Sequence, residues 1–193
     1  MEHQARTLVD RPVSTVYNQW TQFESFPQFM EGVNSVRQID DTTTEWDVEV
    51  GGVQRSFTAD IVVQEPDQQI RWISRDEPVH QGGVVFEPHG AETEVSLWMK
   101  FEPEGVVEKA GDALGFVQRR VEGDLDRFKS FIEDRELPTG AWRGNVPEDP
   151  ASSSARAAVP RPIPHKRSRF DEDLHHGDRR RPWIHRRQRV STT

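Results

Sequence analysis

The sequence predicts an α+β domain in which an antiparallel sheet of about seven strands carries one long C-terminal helix. Three observations lead there. Residues 104–135 place apolar side chains at Val107, Ala110, Leu114, Val117, Val121, Leu125, Phe128 and Ile132, the i, i+3, i+4 spacing of an amphipathic helix with one buried stripe. Between residues 33 and 101 the apolar period falls to two, with polar and charged residues in the alternate places. That pattern marks strands with one wet face, and so antiparallel pairing. Length agrees with both, since 193 residues supply one domain of ordinary size and an appendage.

The elements follow in order. Residues 2–9 alternate loosely and end in Thr7-Leu8-Val9, a first strand. Asp10 and Pro12 read as a helix start, with Asp10 near the N-cap and Pro12 in the first turn. Val13, Val16, Tyr17, Trp20 and Phe23 keep helical spacing until Pro27 interrupts it. Two short helices are therefore expected, over 13–22 and around 25–31. Residues 33–39 form the next strand. Trp46, Val48 and Val50 then alternate with Asp47 and Glu49, and Gly51-Gly52 turns a hairpin. In 53–64, Phe57, Ala59, Ile61 and Val63 share a face opposite Ser56, Thr58 and Asp60. Ile70, Trp72 and Ser74 oppose Arg71, Ile73 and Arg75; residues 82–87 make a short strand; and Val95, Leu97, Met99 and Phe101 alternate along the last one.

The closing helix would run ~45 Å. Its first half carries Gly111, Ala113 and Gly115, while its second carries Leu125, Phe128 and Phe131. Each interior glycine costs about 1 kcal/mol relative to alanine. The first half is therefore thin where a packed helix would be bulky.

Composition excludes several classes. There is no cysteine, hence no disulfide, thiolate nucleophile or cysteine-ligated metal. The first ten residues, MEHQARTLVD, lack the basic and apolar regions of a signal peptide. No apolar run approaches the ~20 residues of a membrane span, so a cytoplasmic protein is expected. Charge divides the chain in two: residues 1–150 hold 29 acidic and 14 basic side chains, whereas 151–193 hold 4 and 11. The expected organisation is a domain over 1–136, a linker over 137–150, and a disordered basic tail over 151–193, marked by Pro150, Pro160, Pro162 and Pro164. In that tail Trp183 lies between Arg179-Arg180-Arg181 and Arg186, Arg187 and Arg189. This interleaving suits RNA, the ribosome or an acidic membrane surface, and no DNA-binding motif accompanies it. The tail histidines, His165, His175, His176 and His185, lack a frame to fix a metal.

Motifs that carry chemistry are scarce. No nucleotide loop, zinc-protease helix or nucleophile–histidine arrangement is present. Gly82-Gly83 lacks the strand-loop-helix context of a phosphate binder. His80 and His89 fall in expected loops and read as solvated, and Asp47 and Glu49 read as an outer, wet face.

Three local motifs carry a family resemblance: Asp10-x-Pro12 leading to Val16-Tyr17-x-x-Trp20-x-x-Phe23-x-x-Phe26-Pro27-x-Phe29-Met30; Gly51-Gly52-Val53 before an alternating strand; and Gly123-Asp124-Leu125 with Phe128-Lys129 in the closing helix. With the element order, these make residues 2–136 resemble the SRPBCC superfamily. This is the START-like helix-grip group that includes polyketide cyclase/dehydrases and coenzyme-Q-binding START-type proteins. The resemblance implies a curved antiparallel sheet gripping the long helix, with a ligand cavity between them.

The inward stripes inferred from strand parity are Trp46, Val48, Phe57, Ala59, Ile61, Trp72, Leu97, Met99 and Phe101, with Ser74 the one polar member. Ala110, Gly111, Leu114 and Gly115 would roof the cavity, their missing volume leaving room for a guest. Such a lining suits a flat apolar molecule. The expected function is thus binding, transport or presentation of a lipid, quinone or polyketide-like molecule, without cofactor or metal. One alternative is a polyketide cyclase/dehydrase-type enzyme, although the lining supplies little for an acid–base relay. Another is an interaction protein working through its tail.

Overall fold

The computed structural model describes residues 2–50, 52–76, 79–101, 110–135 and 137–148, the side chains of 101, 110–114 and 116 excepted. Seven strands form one antiparallel sheet: β1 (Glu2–Val9), β2 (Val33–Gln38), β3 (Thr43–Val50), β4 (Val53–Glu65), β5 (Gln69–Ser74), β6 (His80–His89) and β7 (Glu92–Phe101). Helix α1 (Val13–Trp20) and a 3-10 turn (Phe23–Gln28) connect β1 to β2, and α2 (Ala110–Glu133) closes the domain. Strand order is β1-β7-β6-β5-β4-β3-β2, so the chain's first strand pairs with its last, Glu2 against Lys100 through Val9 against Thr93. The sheet curls around α2 in a helix-grip arrangement. The expected helical residues 104–109 and the basic tail lie outside the described residues.

Aromatic residues of the segment after β1 build the centre of the core. Trp20 is 1% exposed and meets Phe26, Phe86 and Phe128 edge-on, with ring centroids 5.8, 6.1 and 4.7 Å away. Each such pair adds ~0.5–1.5 kcal/mol to the burial itself. Leu125, Phe128 and Ile132 of α2 are buried, as their place on the apolar stripe requires. The charged alternates of β3 and β4 pair with neighbours on the other face: Asn34 donates to Asp47 (2.8 Å) and Arg75 Nε to Asp60 (2.7 Å).

Four local expectations need correcting. Asp10 does not cap α1, for Pro12 occupies the N-cap position without a side-chain bond, and the Asp10 amide instead donates to Glu133 Oε1 at 2.7 Å. Val63 leaves the face it would share with Ile61, because the β4–β5 register shifts between them. The bulge turns Gln64 inward, where its Nε2 donates to the Tyr17 hydroxyl at 3.2 Å. His80 is not in a loop: it opens β6, 6% exposed. Finally, residues 137–148, expected as linker, run along the domain. Thr139 N donates to Gln19 Oε1 (2.9 Å), Trp142 N to Thr21 Oγ1 (3.0 Å), and Val146 exchanges two 2.9 Å backbone bonds with Gln64. The β4 edge is open there because the β3–β4 ladder ends at Thr43–Asp60.

Candidate functional site

A cavity of about 80 Å³ lies between the inner face of the sheet and α2. Sheet residues Thr44, Trp46, Ile61, Ile70, Trp72, Leu97 and Met99 form one wall; Trp20, Phe23, Phe26 and Met30 form a second; Val121 and Asp124 of α2 close it. Five of the residues expected from strand parity therefore line it: Trp46, Ile61, Trp72, Leu97 and Met99. Val48 and Ala59 are buried without reaching it. Phe57, the cross-strand partner of Trp46, stacks on it with ring planes 9° apart and is not among the lining residues. Ser74 is buried, and its Oγ accepts a 2.9 Å bond from the His80 amide, so it fixes the β5–β6 connection rather than facing the cavity. The His80 ring meets Phe57 edge-on at 4.7 Å.

The expected roof fares differently. The side chains of Phe101, Ala110, Gly111 and Leu114 lie outside the described set. Among the described residues a methyl group at Gly115 would find no neighbour nearer than Arg119 Nη1 at 4.0 Å, and Gly115 is not among the lining residues of the cavity.

Glycine acts elsewhere. A Cβ on Gly82 would stand 2.4 Å from Trp72 Cζ2, and one on Gly83 would stand 2.6 Å from Trp98 Nε1. Successive strand residues point to opposite faces. The Gly82-Gly83 pair thus lets one indole lie flat on each side of β6, and Trp72 can thereby form cavity wall.

Strand parity could not reach all of the other lining residues. Trp20, Phe23, Phe26 and Met30 belong to the segment after β1. Thr44 and Ile70 do lie on inward stripes; the Thr44 hydroxyl accepts from Trp46 Nε1 (2.9 Å) and donates to the Ala59 carbonyl (3.2 Å). Asp124 left the clearest trace in the sequence. It is three residues after Val121 and four before Phe128, which sets a carboxylate on the apolar stripe of α2.

That carboxylate is the ionisable group among the described lining residues. Its side chain is 13% exposed. Burial pushes its pKa above the ordinary aspartate value, against the opposing pull of the Glu31 amide and Arg127. Asp124 Oδ1 accepts from Glu31 N at 2.8 Å and from Arg127 Nη2. Arg127 Nε also donates to the Phe29 carbonyl at 2.9 Å, and Arg120 reaches the carbonyls of Glu31 and Glu49. These contacts staple residues 29–32 to α2, with Met30 directed to the cavity. Gly32 fits the crossing because its φ is +66° and a Cβ would meet Glu49 O at 2.4 Å.

The polyketide cyclase/dehydrase and lipid transport family model matches residues 9–129, well over half of the chain and every cavity-lining residue. The chain belongs to this family. A Streptomyces lincolnensis relative, a 17.2 kDa protein encoded in the melC2-rnhH intergenic region, is 50% identical over 137 residues, covering 70% of this chain and 91% of its own. Among solved structures, the Zhui aromatase/cyclase of Streptomyces sp. R1128 superposes with a TM-score of 0.62 at 16% identity, over 74% of this chain and 99% of that one. A Thermus thermophilus protein gives 0.61 at 19% identity, over 68% and 97%. A START superfamily protein of Mycobacterium smegmatis gives 0.51 at 19%, over 65% and 97%. At these identities the structural likeness concerns the fold. The cavity described above, with its apolar wall and one carboxylate among the described lining residues, lies wholly within the matched segment. Among the described residues no helix is long and apolar enough to cross a membrane.

Proposed function

We propose that the protein binds a small hydrophobic molecule in the cavity between the sheet and α2. The observation that carries this reading is a lining of aromatic and aliphatic side chains broken, among the described residues, only by Thr44 and Asp124. Burying an apolar guest there is favourable at roughly 25 cal/mol per Å² of apolar surface removed from water. An apolar cavity of roughly 150 Å³ holds benzene, so about 80 Å³ suits a guest of no more than one small ring rather than a long-chain lipid. The family description, which joins cyclase/dehydrase with lipid transport, supports a ligand at this place. The Thr44 hydroxyl is already engaged on both sides, and a single carboxylate does not make an acid–base relay. Binding is therefore favoured over catalysis.

Native mass spectrometry of protein purified without detergent, together with calorimetric titration with toluene, tests the proposal. Met99→Trp should fill the cavity and weaken toluene binding about tenfold, ~1.4 kcal/mol, while circular dichroism remains that of the wild type. An empty protein that takes up no toluene, or toluene binding indifferent to a folded Met99→Trp variant, would refute it.

A further inference from the structure

We propose that Asp124 sets the chemistry of the guest: the cavity prefers a neutral molecule bearing an O–H or N–H donor over a purely apolar one, and rejects carboxylates. The inference rests on the binding reading above. Its basis is the way the carboxylate's two oxygens are used. Oδ1 serves the Glu31 amide and Arg127. Among the described residues no donor is bonded to Oδ2, although the residue forms part of the cavity wall. A carboxylate oxygen can accept more than one bond, and a donor offered to an ionised acceptor makes a hydrogen bond about twice as strong as a neutral pair.

Trp46 Nε1 is already donating to Thr44. Arg127, the cation paired with Asp124, is not a lining residue; its guanidinium is committed to Phe29 O, Asp124 and Glu31. A fatty-acid or benzoate head would thus bring one carboxylate against another with no uncommitted cation among the described lining residues. A phenol or alcohol satisfies Oδ2 and leaves its apolar body to the ring of aromatic residues.

The test compares three small ligands by emission of the cavity tryptophans: toluene, 4-methylphenol and 4-methylbenzoate. The expected order has 4-methylphenol at least ~10-fold tighter than toluene, with 4-methylbenzoate weaker than toluene. Asp124→Asn keeps an acceptor for the Glu31 amide but removes the charge, so the advantage of 4-methylphenol over toluene should fall several-fold. Toluene binding as tightly as 4-methylphenol in the wild type, or an undiminished advantage in a folded Asp124→Asn variant, would overturn the donor rule while leaving the hydrophobic cavity standing. If none of the three binds, the donor rule falls together with the binding reading beneath it. The wild-type ranking alone decides the matter should Asp124→Asn fail to fold.

Discussion

At the scale of single residues, the glycines illustrate how a position without a side chain can define a site. Gly82 and Gly83 carry no phosphate-loop context, and the structure gives them a packing role instead, since each accommodates an indole on one face of β6. Overfilling such a contact usually costs ~1–3 kcal/mol. Gly82→Ala and Gly83→Ala should each lower unfolding free energy by that amount in urea melts. Their effects on ligand should part, however. Only Gly82→Ala pushes an indole that lines the cavity, so it should weaken guest binding several-fold while Gly83→Ala leaves it unchanged. Equal effects on binding would mean that the losses reflect general destabilisation. Asp124 shows what was legible at this scale: a carboxylate on an apolar stripe is visible in the sequence, but its contact with residues 29–32 depends on tertiary folding.

At the scale of elements, the strands were legible because their period of two persists, and α2 because its stripe does. Irregularities were not. The bulge between Ile61 and Val63 occurs within an uninterrupted apolar alternation, and the side-chain bond from Gln64 to Tyr17 that goes with it joins residues far apart in sequence. The anchoring of α2 was likewise hidden. Its C-terminal end is tied to the β1–α1 turn through Glu133, whose Oε1 accepts from the Asp10 amide (2.7 Å) and Lys129 Nζ (2.8 Å), while Arg11 reaches the Glu133 carbonyl. Burial alone would raise the Glu133 pKa, but these donors outweigh it and hold it below the ordinary value of 4.5. A carboxylate depressed in the folded state stabilises above its unfolded pKa and loses that contribution as pH falls through the folded one. Glu133→Gln should accordingly cost about 1 kcal/mol at pH 7. The difference from wild type should shrink as pH drops from about 5 toward 3. Denaturant midpoints for both proteins across that range would show it, and a gap independent of pH would assign the loss to packing.

At the scale of the whole molecule, the sheet is open, with β1 and β2 at its edges, and the far end of β4 runs on beyond the point where the β3–β4 ladder stops. Residues 137–148 cover that end. They give partners to Gln19 and Thr21, polar residues of α1 and its C-cap that are nevertheless 0% and 2% exposed, and to both backbone groups of Gln64. Arg143 pairs with Asp67 at 2.6 Å and Glu148 with Arg71 at 2.8 Å. Nothing in the composition of this segment signalled the role, because its stability comes from partners supplied by α1 and β4 rather than from a periodic face of its own. Removing it would strand buried donors and acceptors, at about 1–3 kcal/mol for each one that water cannot reach. Against this stands the entropy regained by the freed residues, roughly 1–2 kcal/mol apiece for backbone alone. The packing and ion pairs lost with the segment add to the first term, so a chain ending at Arg135 should unfold at a lower urea concentration than the full protein. A chain ending at Glu148 keeps all these contacts and should unfold at the same urea concentration as the full protein. If the two truncated chains share one midpoint, residues 137–148 are a passive connection after all, and the domain is complete at the end of α2.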